Sequence, residues 1–193
     1  MMYSFRIEQA IRAASILHKN HVRKGSAPYP YISHLFAVAC IVSDYTTDED
    51  IIIAGLLHDT LEDTDYTESE LETDFGPRVR SIVENVSERT DPKDPRPWQE
   101  RKDGLIELLY RAPEESLIVA AADTIHNLRS IVEEYQGSFV KYSNDFNGTL
   151  EGRTQLYQKK SDIFNSNLRN PIVHEFNHVL KEYELFVGSE RFL

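Results

Sequence analysis

Residues Gly55 to Thr64 read GLLHDTLEDT and are the most informative segment of the chain. An apolar run leads into a group of ionisable side chains: His58, Asp59, Glu62 and Asp63. In a continuous helix, at about 100° per residue, the four would lie within about 140° of one another, on one side. Buried charges are costly unless they are paired or bind a metal. The stretch therefore predicts a cation site, with further ligands coming from elsewhere in the chain.

Helical patterns extend from this stretch in both directions. Apolar residues recur at helical spacing through about 4–20, 32–43, 51–62, 77–86, 98–111, 113–135, 151–168 and 171–186. Three prolines between 90 and 97 predict a loop. Strand patterns are nearly absent, and no repeat or domain boundary stands out. The sequence predicts one all-α domain over residues 1–193, a helical bundle with a buried metal site.

Composition narrows the function classes. The chain has 193 residues, of which 40% are hydrophobic and 27% are charged, as is typical of a soluble globular domain. No apolar run has the length of a membrane span, the N-terminus has no signal-peptide core, and the single cysteine, Cys40, excludes an internal disulfide. We therefore expect a cytoplasmic protein without membrane contact.

The net charge of −11 argues against general nucleic-acid binding, which needs a basic surface. It does not argue against a small anionic substrate, because a bound divalent metal and a few placed cations can invert the local field.

Two polar residues interrupt helices that are otherwise apolar. His34 lies early in the second helical segment, and Asp123 follows six apolar residues. Either residue alone would most often be structural. Together with His58 and Asp59 they form a mixed nitrogen and oxygen donor set that suits Mn²⁺, Fe²⁺ or Zn²⁺.

The order His34, His58-Asp59, Asp123 resembles the H…HD…D signature of the HD-domain metal phosphohydrolases. The surrounding sequence is similar to the hydrolase domain of RelA/SpoT-type alarmone enzymes and to the small alarmone hydrolases. The segments that carry this similarity are 23–25, 30–34, 57–64, 75–76 and 122–129. The resemblance spans about residues 10–131, and we expect the helices of about 138–187 to pack on that region.

The resemblance implies a role for each residue of the predicted site. One metal ion, Mn²⁺ before Fe²⁺ or Zn²⁺, would bind His34, His58, Asp59 and Asp123. The catalytic pair, Glu62 and Asp63, would position or deprotonate the attacking water. The family removes the 3′-diphosphate of guanosine tetra- or pentaphosphate and releases pyrophosphate.

The same resemblance assigns Arg23 and Lys24 to the base or phosphate and Asn127 to the nucleoside. Asn127 is four residues after Asp123, so both would face one pocket if the segment is helical. A simpler interpretation of Arg23 and Lys24 is that they form a solvated turn without contact to a substrate.

Two departures from the alarmone enzymes affect the substrate. The segment from Arg23 to His34 is longer than in those enzymes, and Thr124 stands where they have a cation directly after the last aspartate. Fewer cations should weaken the binding of a substrate with several phosphates. The residues that could replace the missing charge are Arg78, Arg80, Arg101, Lys102 and Arg129.

A competing motif lies near the C-terminus. Residues His174 to His178 match H-E-x-x-H, the zinc-protease pattern. The pattern has only three fixed positions, and the glycine of the metzincin continuation is missing. We expect these residues to lie on a helix surface or in the core.

Three functional hypotheses remain at this point. The leading one is a Mn²⁺-dependent guanosine-3′,5′-bis(diphosphate) 3′-pyrophosphohydrolase. The second keeps the metal site but changes the substrate to another nucleotide or dinucleotide phosphate, with orthophosphate as the product. The third is a non-catalytic nucleotide sensor. The sequence does not indicate an oligomeric state.

Overall fold

A computed structural model describes residues 3–25, 28–88 and 96–189 of the chain. Most of the loop predicted between 90 and 97 therefore lies outside the described residues. Within those ranges the structure has eleven α-helices and no strand beyond a single bridge between Val22 and Pro30. The helices are α1 (Phe5–Leu17), α2 (Ile32–Tyr45), α3 (Glu49–Leu57), α4 (Thr60–Asp63), α5 (Glu68–Phe75), α6 (Pro77–Glu84), α7 (Trp98–Arg111), α8 (Glu114–Tyr135), α9 (Phe139–Asp145), α10 (Leu150–Asn167) and α11 (Ile172–Ser189). The predicted all-α class is confirmed.

Helix α3 lies at the centre of the bundle. All its residues from Ile51 to Leu57 are buried, as expected of a helix that is apolar on every side. It packs against α1, α2, α6 and α8. Helix α8 is the second central element, because its first half is buried and α11 lies along it. The two helices bring the polar residues that follow α3 close to those in the middle of α8.

Local signals explain where several helices begin. The Asp48 side chain caps α3 by accepting a hydrogen bond from the backbone N–H of Asp50. Thr67 and Glu70 form a reciprocal capping box at the start of α5. Gly76 separates α5 from α6 and has a φ of +94°. Residues other than glycine rarely adopt this backbone conformation.

The prediction of a continuous helix from Ile51 to Glu62 is wrong, because the helix is interrupted at His58 and Asp59. Helix α3 ends at Leu57, and the short helix α4 begins at Thr60. Side chains bind the backbone carbonyls at the break: the His58 ring nitrogen Nδ1 lies 2.9 Å from Gly55 O, and the Thr60 hydroxyl donates to Leu57 O at 2.6 Å. Such side-chain bonds compete with the helical ladder. The histidine and the aspartate therefore lie in a turn between two helices.

No helix in the described ranges combines the length and the apolarity that crossing a bilayer would require.

Gly55 allows α2 and α3 to approach closely, just before the predicted metal ligands. A Cβ atom at this position would lie 3.3 Å from Val42 Cγ2 and 3.4 Å from Ala39 Cα. We expect Gly55→Val to lower the free energy of unfolding by about 1–3 kcal/mol, because the added methyl groups overpack the core. Urea unfolding measures the change. Gly104→Val on α7, where a Cβ would meet nothing within 4 Å, is the matched control and should be nearly neutral. Equal losses in both variants would contradict the close approach of α2 and α3.

Candidate metal centre

Four side chains from three parts of the chain meet between α2, α3 and α8. His34 comes from α2, His58 and Asp59 from the turn after α3, and Asp123 from α8. The Asp59 Oδ2 atom lies 3.1 Å from His58 Nε2 and 3.5 Å from His34 Nε2. The Asp123 Oδ1 atom lies 3.3 Å from His34 Nε2 and 3.5 Å from His58 Nε2. Each imidazole therefore faces both carboxylates through the same nitrogen.

The donor set fits a divalent cation. Because Gly55 O can only accept, His58 Nδ1 carries a hydrogen and Nε2 is the nitrogen that can bind a metal. That Nε2 atom is buried and makes no hydrogen bond of acceptable geometry. Among the described residues, His34, His58 and Asp59 offer the one group of three donor atoms that all lie within 4.8 Å of one another.

The pKa shifts in the metal-free cluster also indicate a site for a cation. Burial disfavours a charge on His58, but the carboxylates of Asp59 and Asp123 outweigh burial and raise the pKa of His58 well above its usual range. The histidines in turn overcome burial and hold the pKa of both aspartates well below their usual range. The partly buried carboxylates of Asp59 and Asp123 need a positive charge beside them. A proton on His58 supplies it in the metal-free protein, and a divalent cation would supply it when bound.

Neighbouring side chains orient the candidate ligands, as is usual around metal sites. The Tyr31 hydroxyl donates to Asp59 Oδ2 at 2.8 Å. His34 Nδ1 lies 2.8 Å from His126 Nδ1, so one hydrogen is shared between the two rings. Burial, followed by the proximity of His34, lowers the pKa of His126 to about 3, so His126 is neutral and can accept that hydrogen. Sequence reasoning gave neither Tyr31 nor His126 a role, although both lie inside the segments that resemble the alarmone enzymes.

Glu62 and Asp63 line the cavity next to this cluster. The Glu62 carboxylate accepts a hydrogen bond from the backbone N–H of Glu88 at 3.1 Å. Burial raises the pKa of Glu62 to about 7 and also raises the pKa of Asp63. A carboxylate with a pKa near neutrality can accept a proton from water.

The predicted substrate residues Arg23, Lys24 and Asn127 also line this cavity. The Arg23 guanidinium donates to Asn127 Oδ1 at 2.9 Å and lies over the Tyr31 ring. The Asn127 side chain also donates to Asp123 Oδ1. Lys24 Nζ lies 5.2 Å from the centroid of the Phe146 ring. Asn127 thus connects Arg23 to Asp123 of the metal cluster.

Some of the cations suggested as replacements for the missing charge lie elsewhere. Arg78 pairs with Asp48 and Glu115, and Arg80 pairs with Glu72. Arg129 pairs with Glu175 on α11. Lys102 lines the cavity and Arg101 lines a neighbouring pocket, and both pair with Glu88.

Two further cations, Arg153 and Lys160 of α10, line the cavity and were missed by sequence reasoning. The sequence holds little signal for them, because basic residues in a helix usually face solvent.

Both histidines of the H-E-x-x-H motif near the C-terminus lie on the exposed surface of α11. The His178 side chain is 70% exposed and faces Glu182. Glu175 binds the Tyr45 hydroxyl and Arg129. The simpler interpretation of this motif therefore agrees with the structure.

Comparison with known proteins identifies relatives of this arrangement. The family described as HD domain matches residues 10–144. The guanosine-3′,5′-bis(diphosphate) 3′-pyrophosphohydrolase MESH1 of Xenopus tropicalis is 36% identical over 165 residues, which cover 76% of this chain and 89% of that protein. The human protein of the same name is 37% identical over 126 residues, 64% of this chain and 68% of that protein.

Solved structures give the same result. A metazoan SpoT orthologue described as hydrolysing ppGpp superposes with a TM-score of 0.74 at 25% identity, covering 94% of this chain and 97% of that one. The protein lmo0812 of Listeria monocytogenes superposes with a TM-score of 0.66 at 26% identity, covering 79% and 94%. The chain therefore belongs to the HD-domain family of metal-dependent phosphohydrolases.

Proposed function

We propose that this protein is a Mn²⁺-dependent guanosine-3′,5′-bis(diphosphate) 3′-pyrophosphohydrolase that releases pyrophosphate. One observation carries the proposal: two histidines and two aspartates meet within 3.5 Å of one another, and three of them line a cavity together with two further carboxylates and several cations. The names of the relatives, which pair this fold with ppGpp hydrolysis, support the choice of substrate. The proposal takes His34, His58, Asp59 and Asp123 as the metal ligands.

A divalent metal held by these four residues would lower the pKa of water and offset charge on the phosphate being attacked. The chain supplies the other requirements. Glu62, with its pKa near neutrality, takes the proton from the attacking water, and Asp63 orients that water. Tyr31 fixes the Asp59 carboxylate, and His126 fixes the His34 ring.

The substrate enters as a small anionic nucleotide. In our proposal Arg23 and Lys24 contact its base or phosphates, and Asn127 contacts the nucleoside. We also propose that residues 1–193 act as one domain, in which α10 completes the wall of the cavity formed by α2, α3 and α8. We further propose that the protein works in the cytoplasm.

Replacing Arg23 tests the substrate contacts. We expect Arg23→Leu to raise KM at least about tenfold and to leave kcat within about threefold, because a charge that holds ground state and transition state equally affects binding alone. Steady-state hydrolysis measures both constants. Arg12→Leu, which removes an exposed arginine of α1, is the control and should leave both unchanged. A loss confined to kcat would contradict the proposed role.

The product distinguishes this function from its alternatives. Purified protein with Mn²⁺ and guanosine tetraphosphate should yield pyrophosphate and guanosine diphosphate, resolved by ion-exchange chromatography. Orthophosphate from another nucleotide, without release of pyrophosphate, would favour the second candidate, a nucleotide phosphatase. Tight nucleotide binding without turnover in the presence of metal would favour a sensor, and either result would reject the proposal.

A further inference from the structure

Lys160 is a buried lysine that contacts the residue following Asp123. It lies on α10, is 7% exposed, and donates from Nζ to the Thr124 hydroxyl at 3.0 Å. The Thr124 hydroxyl is itself fully buried and donates to Ala120 O at 2.7 Å. Lys160 therefore uses one of its three N–H donors on a neutral partner.

The remaining donors of Lys160 have no partner among the described residues. No carboxylate in those ranges lies within ion-pair distance of Nζ, although the side chain lines the cavity together with Asp59, Glu62 and Asp123. A buried ammonium group is costly unless it is paired. The preceding residue is an instructive contrast: Lys159 is about half exposed and pairs with Asp103 at 2.7 Å.

Lys160 places a positive charge next to Thr124, where the sequence comparison with the alarmone enzymes shows that a cation is missing. By the sequence resemblance, Thr124 stands where the RelA/SpoT-type enzymes have a cation directly after the last aspartate of the signature. Here a hydroxyl stands at that place, and an ammonium group from α10 contacts it. The positive charge is thus retained beside Asp123, but it comes from a different helix.

We propose that Lys160 is a phosphate-binding residue of this protein. Its ammonium group, on α10, takes the place of the cation that is absent from α8 because Thr124 stands there. The ligand class is a phosphate or diphosphate group next to the metal ligands, which deepens the proposed function and depends on it for the identity of the full substrate. The inference rests on two observations: the Lys160 ammonium group has N–H donors without a partner among the described residues, and the residue that it does contact, Thr124, is neutral.

Binding of inorganic pyrophosphate tests this role without reference to turnover. Calorimetry in the presence of Mn²⁺ should show at least about a tenfold loss of affinity in Lys160→Met, because a charge-assisted hydrogen bond is lost. Lys160→Arg should stay within about threefold of the parent. Lys159→Met is the matched control and should not change the affinity. Unchanged affinity in Lys160→Met would overturn the proposal.

A charge exchange gives a second test. The double variant Thr124→Lys with Lys160→Met returns the cation to α8, and it should recover at least half of the affinity lost in Lys160→Met on a logarithmic scale. If Lys160→Met does not fold, Lys160→Gln answers the question: it retains a donor for Thr124, and an affinity equal to that of the parent would overturn the proposal. Failure of guanosine tetraphosphate hydrolysis by the parent protein would reject the proposed function, but the pyrophosphate result would still decide the role of Lys160.

Discussion

Replacing Asp59 with asparagine should remove the metal from the protein and lower hydrolysis by about a thousandfold or more. Asp59 Oδ2 is the carboxylate oxygen nearest to His58 Nε2 and also faces His34 Nε2. A neutral amide cannot offset the charge of a divalent ion, and the Lewis acidity of such an ion supplies several kcal/mol to phosphoryl chemistry. About 4 kcal/mol corresponds to that thousandfold loss.

Metal content after dialysis and the rate of pyrophosphate release are the two measurements. Asp65→Asn, in the exposed segment just after α4, removes the same charge at a distance from the cluster and should retain metal and activity. His174→Ala should also retain metal, because that histidine belongs to the surface of α11. A stoichiometric metal content in Asp59→Asn with activity within tenfold of the parent would refute Asp59 as a ligand.

The fold class and the position of the site follow from apolar periodicity. Helix α3 is apolar on every side and could only be central, and His34 and Asp123 interrupt runs that are otherwise apolar. A polar side chain in such a run must face a partner, because burying it alone is costly. The sequence therefore predicts which residues share a site, even though the distances between them depend on how the helices pack.

The break at His58 and Asp59 could not be predicted in the same way. Periodicity records which residues are apolar, and it continues across the break. The break depends on two side-chain bonds to carbonyls, from His58 to Gly55 and from Thr60 to Leu57. Lys160 was missed for a related reason: its contact with Thr124 joins residues that are 36 positions apart.

Replacing Glu62 with glutamine should separate catalysis from metal binding. Glu62 lines the cavity but is not one of the four proposed metal ligands, so the metal should stay bound. Loss of a general base typically lowers kcat by about 10²- to 10⁴-fold, and that is the range we expect. Loss of metal equal to that of Asp59→Asn would instead make Glu62 a ligand.

The same substitution should stabilise the metal-free protein, and by an amount that depends on pH. Burial raises the pKa of Glu62 to about 7 in the folded protein, whereas in the unfolded chain it is about 4.3. Between these values the folded state binds a proton that the unfolded state has released, so the parent loses stability as pH rises through this window. Below the window both states are protonated and the cost is absent. Above it the folded protein holds a partly buried carboxylate at full cost.

Glu62→Gln removes that cost, so its advantage over the parent should be near zero at pH 4 and reach about 1–3 kcal/mol at pH 8, after allowance for partial exposure. Urea unfolding with chelator at both pH values measures the difference, and Glu184→Gln on the exposed face of α11 is the control. The same stabilisation at both pH values would mean that packing, and not ionisation, accounts for the change. A stability gain that grows with pH, together with lost turnover, would show that the protein keeps a carboxylate in an unfavourable place because the reaction needs a base there.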